Sequence, residues 1–254
     1  MNQIQRREYL IKKLLAENPE YASATVPEDE PTQRLLLRAL MNVRAPKEIS
    51  AEFQQVQDEY LQAENAQQGV VTVDQFQTGL NLWRGDITRL AVGAIVNAAN
   101  SGLTGCYLPN HNCIDNAIHT FAGIELRNAC AALMKEQGHP EATGQAKITP
   151  AFNLPSDYVI HTVGPIVEGD QPTPQDEQLL ASSYRSSLAL ADQNGVESIA
   201  FPCISTGVFH FPNQRAAEIA VATTREYMKQ AQNIQKVIFD VFKEEDYAIY
   251  EQLL

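Results

Sequence analysis

From Val70 onward, short apolar runs rich in β-branched residues alternate with longer stretches of helical period, and no other feature of the chain restricts its fold so strongly. Strands are predicted at 71–76, 80–84, 94–97, 146–149, 158–163, 198–203 and 237–242. Helices are predicted at 113–121, 124–137, 175–194, 213–231 and from 243 to the end. Elements in this order build a largely parallel or mixed sheet covered by helices on both faces. Ligands of such sheets bind beyond the carboxyl ends of the strands. The loops after Val96 and Cys203 are therefore where chemistry is expected. The loop at 164–174, rich in Pro and Asp, reads as a surface excursion.

Residues 1–68 read as helices with little else. A first helix, 3–16, places Ile4, Ile11, Leu14 and Leu15 near one face and ends before Asn18-Pro19. A second begins at Pro31, a residue suited to a first helical turn, and carries Leu36, Leu37, Leu40 and Met41. A third follows Ser50 as N-cap, with Phe53, Val56 and Tyr60 at helical spacing. Such apolar stripes are the mark of helices packed on a core, and docking of a partner is the alternative use. The link at Gln67, Gln68 and Gly69 divides the chain into 1–68 and 69–254.

The formal charge of −12 argues against a nucleic-acid backbone as partner, because phosphate tracking needs a basic face. A small anion remains compatible, since backbone N–H groups and helix N-termini bind one without adding to the net charge. The chain has no run of about 18 apolar residues, and its first residues are too polar for a signal peptide. The expected location is the cytoplasm, with no membrane contact. There, four cysteines are thiols or metal ligands rather than disulfides.

Two of those cysteines flank a histidine. Cys106, His111 and Cys113 form a C-x4-H-x-C set in a loop with Gly105, Pro109 and Asn110, whose turn chemistry can gather side chains around one point. Structural zinc takes four protein ligands, whereas catalytic zinc keeps a position open for water or substrate. Three ligands lean towards the second, and thiolate with imidazole favours zinc over magnesium or calcium. The competing reading is an ordinary loop with two thiols and a surface histidine. Asp115 follows in the first turn of the next helix, where a carboxylate is favoured.

A second motif, Ile204-Ser205-Thr206-Gly207-Val208-Phe209, joins an apolar strand to a helix near Pro212 and Asn213. It offers backbone N–H groups and a positive helix end of the kind a diphosphate needs, although Ser-Thr-Gly turns also serve as plain connections. In Gly85-Asp86-Ile87-Thr88, Asp86 is either a helix N-cap or an acceptor for an exocyclic amine such as that of adenine. Asn97 and Asn100, at the end of the strand 94–97, orient ribose hydroxyls or close a turn. Cys130 and Cys203 read as packing thiols, His119 and His161 as satisfied partners in or near the core.

Taken together, Gly85-Asp86-Ile87-Thr88, Val96-Asn97-Ala98-Ala99-Asn100, the helix from Ile114-Asp115 to Ala122-Gly123 and Ile204-Ser205-Thr206-Gly207 resemble the macrodomain family of ADP-ribose-binding modules. The cysteine-histidine-cysteine loop and the helical extension resemble its zinc-containing bacterial branch. The resemblance implies a three-layer α/β/α macrodomain with a mixed central sheet, packed against by the N-terminal helices. It also implies one Zn2+ per chain, on Cys106, His111 and Cys113. Asp86 and Ile87 would contact adenine, with Phe242 stacking on it. Ser205, Thr206, Gly207, Val208 and Phe209 would wrap the diphosphate, and Asn100 would hold the distal ribose. Asp115 matches the catalytic aspartate of macrodomain hydrolases. One departure stands out: Tyr107 to Asn112 and the metal ligands replace the glycine run of many relatives. The implied activity is zinc-dependent removal of mono-ADP-ribose from modified protein side chains, with acidic acceptors. The alternatives are a non-catalytic ADP-ribose reader and a hydrolase of O-acetyl-ADP-ribose. A sirtuin-like ADP-ribosyltransferase and a lipoyl-carrier-type substrate are the partners the resemblance suggests.

Overall fold

A computed structural model describes residues 1–21, 23–169 and 171–254. Three helices come first: α1 (Gln3–Ala16), α2 (Glu30–Val43) and α3 (Ala51–Gln68). Asn2, Asp29 and Ser50 cap them, each accepting a backbone N–H on its side chain. Gly69, at φ 85°, ends α3. Leu10, Ile11, Leu14, Leu37, Leu40, Phe53, Val56 and Tyr60 form their shared core, which Ile124 of the following region joins.

The remaining elements are β1 (Val71–Thr72), β2 (Gly79–Arg84), β3 (Leu90–Ala91), β4 (Ala94–Ala98), α4 (Ile114–Ala122), α5 (Ile124–Gln137), β5 (Ala146–Pro150), β6 (Tyr158–Thr162), α6 (Pro174–Gln193), β7 (Ser198–Phe201), α7 (Asn213–Met228), β8 (Lys236–Val241) and α8 (Glu244–Leu253). Six strands make one sheet in the order β2-β8-β7-β4-β6-β5. All neighbours are parallel except β5, which runs antiparallel to β6 at the edge. The central strands β4 and β7 are near-continuous apolar runs because both their faces are covered. Packing from α6, α7 and α8 builds the core on one face, and α4 with α5 builds it on the other.

Some expectations need correction. The strand predicted at 71–76 stops at Thr72 and passes into a 3-10 turn, Val73–Gln75. Its partner is the short β3, outside the main sheet, so no neighbour extends it. The strand predicted to reach Cys203 ends at Phe201, where Pro202 removes a ladder donor. The loop after β6 is not simply a surface excursion. Residues 163–165 and Val167 are buried, and Val167 N–H donates to Phe209 O at 2.9 Å. Asp170 of that loop lies outside the described residues.

Candidate active site

Five parallel strands deliver their carboxyl ends to one edge of the sheet. Along that edge stand Asp86 after β2, Phe242 after β8, the 205–209 loop after β7, and Asn100 with the cysteine-bearing loop after β4. From β2 to β4 is three strand spacings, about 14 Å. Segments far apart in sequence thus stand along one edge in a fixed order.

At the β4 end, Asp115 is buried at the start of α4. Asn97 donates through Nδ2 to its Oδ1 at 2.8 Å, and Asn100 donates through Nδ2 to its Oδ2 at 3.2 Å. Burial pushes the Asp115 carboxyl up to about 6, against the pull of Asn97, the Arg127 charge and Asn100. Asn100 is exposed and also closes its own turn, accepting Gly102 N–H at 2.9 Å. Asn97 departs from the expectation of a ribose contact. It is 0% exposed, and its amide is spent on Asp115 and on His161 Nδ1, 3.2 Å away.

That last contact assigns His161. A donating amide makes Nδ1 an acceptor, so Nε2 carries the proton and donates to Thr149 Oγ1 at 3.0 Å. Desolvation holds the ring neutral, with its pKa lowered to about 3. His161 is a satisfied core histidine, as its sequence context suggested. His119 is not: both its ring nitrogens are buried without a partner among the described residues, with Nε2 3.6 Å from Asp115 Oδ1. Cys130 completes a second Cys/His group with these two histidines, within 4.8 Å of one another. Because His161 already uses both nitrogens on Asn97 and Thr149, that group reads as core.

The first group is arranged differently. The ligand atoms of Cys106, His111 and Cys113 lie within 4.8 Å of one another, half-buried, and Cys106 Sγ is 3.5 Å from His111 Nδ1. Bond lengths of about 2.3 Å to sulfur and 2.0–2.1 Å to nitrogen at a tetrahedral angle put those atoms about 3.5 Å apart, so the donors fit zinc. Cys113 is also the N-cap of α4, its Sγ accepting Asn116 N–H at 3.4 Å. Burial, then Cys106 and Asp115, push this thiol up to about 11 despite the helix end. A coordinating cation reverses that balance and ionises it. Leu103 and Asn110 in this loop sit at φ 55° and 54°, left-handed values that persist only where surroundings impose them.

The 205–209 loop is strained in the same sense, with Ser205 at φ 67° and His210 at 56°. Phe211 N–H donates to Ser205 O at 3.0 Å and His210 N–H to Gly207 O at 3.1 Å. Among the described residues, the N–H groups of Gly207, Val208 and Phe209 find no acceptor, which suits an anion. Ser205 Oγ is likewise buried without a partner. A Cβ on Gly164 would lie 2.1 Å from it, so the two loop segments approach as closely as glycine allows.

At the β2 end, Asp86 does cap a helical turn, its Oδ1 accepting Thr88 N–H at 3.0 Å and Thr88 Oγ1–H at 2.7 Å. The Ile87 side chain is in the core, so the expected adenine contact cannot come from that side chain. Gly85 carries no side chain because the Trp83 ring crosses it, 2.3 Å from where a Cβ would stand. Phe242 is 78% exposed directly after β8. Asp240, two residues earlier, is buried with Oδ1 unpartnered, and its carboxyl is held well above the usual range by burial and the charge of Asp86.

The roles of two residues at this site were not legible in the sequence, which marked His161 only as a core partner and did not single out Arg127. His161 is paired in register with Asn97 across β4 and β6, a relation that exists only in the sheet. Arg127 is buried beneath the cysteine loop, its guanidinium 4.3 Å from the Tyr107 ring centroid. An arginine beside Leu126 and Cys130 on an apolar helix was the one available hint.

Fold and edge together define an α/β module whose sheet edge carries backbone N–H groups without an acceptor among the described residues at its middle and a buried carboxylate, Asp115, towards one end. The chain belongs to the Macro domain family, whose model matches residues 96–220. It is 56% identical to a protein-ADP-ribose hydrolase of Treponema medium, over 100% of both chains. Its identity to a protein-ADP-ribose hydrolase of Staphylococcus aureus is 43%, over 97% of this chain and 94% of that one. Among solved structures, a Trypanosoma brucei macrodomain in complex with ADP-ribose is 30% identical, with a TM-score of 0.65 over 90% of this chain and 97% of that one.

Proposed function

We propose that this protein is a hydrolase that removes mono-ADP-ribose from modified protein side chains, with zinc on Cys106, His111 and Cys113. The observation that carries the reading is the order of parts along the sheet edge. An acceptor for an exocyclic amine and an exposed aromatic ring come first, free N–H groups next, and Asn100 above Asp115 last. That is the order of adenine, diphosphate and distal ribose in ADP-ribose. The names of the Treponema medium and Staphylococcus aureus relatives support the same activity.

Binding of adenine and diphosphate fixes the distal ribose over Asn100, and that remote binding energy is available for orientation at the reacting carbon. Asp115 then accepts a proton from water as its oxygen adds to the anomeric carbon and the bond to the acceptor breaks. Asn97 and Asn100 hold the two carboxylate oxygens in place through this step. The histidines behind Asp115 are buried and held neutral, so neither presents an imidazolium to the leaving group. A carboxylate leaves without needing one, which favours aspartate or glutamate as acceptor. A zinc ion bound at the three ligands would supply a Lewis acid in the same loop.

A time course of ADP-ribose release from an Asp/Glu-modified protein tests this, run with enzyme as purified and after stripping by a zinc chelator. Loss on stripping and recovery with zinc is the expected result. Equal activity without metal would reduce the cysteine loop to a structural staple. ADP-ribose binding with no release in either form would make the protein a reader, and release only from O-acetyl-ADP-ribose would make a small ester its substrate. No residue of the site singles out a sirtuin-like or lipoyl-carrying partner. Among the described residues, no helix is long and apolar enough to cross a membrane.

A further inference from the structure

The cysteine loop makes few bonds of its own. His111 N–H donates to Leu108 O at 3.3 Å, and Asn116 of α4 donates through Nδ2 to Leu108 O at 3.0 Å. Much of its remaining support comes from the N-terminal helices. Arg38 of α2 donates through Nη2 to His111 O at 3.0 Å, and through Nε and Nη2 to Asn116 Oδ1 at 3.1 and 2.8 Å. Four residues along the same helix, Asn42 Oδ1 accepts Asn110 N–H at 3.0 Å while its Nδ2 donates to Thr120 Oγ1 at 3.0 Å. One side chain of α2 thus grips the backbone of a ligand residue, and the other holds the left-handed Asn110.

Arg127 ties the loop's other end to the same helix. Its Nε donates to Thr104 O at 2.7 Å, and its Nη1 donates to Met41, Asn42 and Arg44 carbonyls at 3.0, 2.7 and 2.7 Å. A guanidinium that is buried with no carboxylate bonded to it is expensive. Here the carbonyl end of α2, where a cation is favoured, and the face of Tyr107 offset that cost.

We propose that α2 is the template of the metal loop: Arg38 and Asn42 hold Cys106, His111 and Cys113 in ligand-ready positions before any ion arrives, so the N-terminal helices set the metal affinity. Arg38 and Asn42 are positioning residues, and the inference rests on the reading of those three side chains as zinc ligands. Groups that orient metal ligands without touching the metal change affinity about 10–100-fold when removed.

The test is zinc competition against a chromogenic chelator with the full chain, comparing wild type, Arg38→Met and Asn128→Ala. Asn128 bonds Lys47 N–H and O at 3.1 and 3.0 Å, so its loss weakens the same helix-to-core interface away from the loop. Arg38→Met is expected to weaken zinc about tenfold or more, with Asn128→Ala within twofold of wild type and the metal-free thermal midpoints of the two variants similar. If Arg38→Met does not fold, Arg38→Lys carries the same expectation, because it keeps the charge and loses the fork. Equal zinc affinity in wild type and the Arg38 variant overturns the inference alone. So does an equal loss in Asn128→Ala, which would mean general loosening. A wild type that takes up no zinc, with Cys106→Ala no different, overturns the ligand reading and this inference with it.

Discussion

Asp115 combines two properties that pull against each other: it is buried enough for its pKa to rise, and its two oxygens are each held by an asparagine amide. An isosteric amide keeps the shape and removes the proton acceptor. Asp115→Asn is expected to lower turnover by at least about 10²-fold, with ADP-ribose affinity within a few-fold of wild type by calorimetry. Behind it, His161 has a folded pKa of about 3, below the ordinary histidine value near 6.5. The unfolded chain therefore binds a proton that the folded chain refuses between those values. Stability from this group is present above pH about 6.5 and is lost as pH falls towards about 3. His161→Gln can still accept from Asn97 and donate to Thr149. Its urea midpoint should fall less steeply than wild type over that window, by the equivalent of one proton, and parallel curves would refute the assignment. Asp115 and Asn100 could be named from sequence because they sit in short local motifs. The role of His161 could not, because its partner Asn97 lies 64 residues away and is brought beside it by the β4–β6 register.

At the scale of elements, the N-cap of α4 is asked to serve two purposes. Cys113 caps the helix and is one of the three ligands proposed for zinc, so the two roles separate in Cys113→Ser. Serine is a good N-cap, and the metal-free unfolding midpoint should stay near wild type while bound zinc falls sharply by metal assay. The 205–209 loop depends on a neighbour that is remote in sequence. In Gly164→Ala the new Cβ meets Ser205 Oγ and Ile204 Cγ2, forcing the loop outward. ADP-ribose binding should weaken several-fold, and an unchanged titration would show that the loop can shift without cost. The strand and helix alternation was legible because periods of two and 3.6 are written in each segment. The end of β1 was not, since a strand continues only as far as it finds a partner.

For the whole molecule, the candidate site runs along the ends of four strands, β2, β8, β7 and β4, and takes a loop from each. A ligand that binds only this assembled edge stabilises all of it. ADP-ribose at 100 times its Kd should raise the unfolding free energy by about 2.7 kcal/mol, in wild type and in Asp115→Asn alike. A thermal shift confined to wild type would show that Asp115 contributes to ligand binding and not to the chemical step alone.

The chain by itself determined its class of fold, the three helices that precede the strands, and the short motifs proposed to bind or react, because each is a matter of local period, local turn chemistry or the ligand types within one loop. The tertiary structure decided which residues meet. It buried Asn97 and turned its amide to Asp115, set His161 behind it, sent Ile87 into the core, and placed Arg38, Asn42 and Arg127 around the cysteine loop. Those relations join positions up to 86 residues apart in the chain. They follow from the packing of helices on a sheet edge, and no local pattern of residues encodes them.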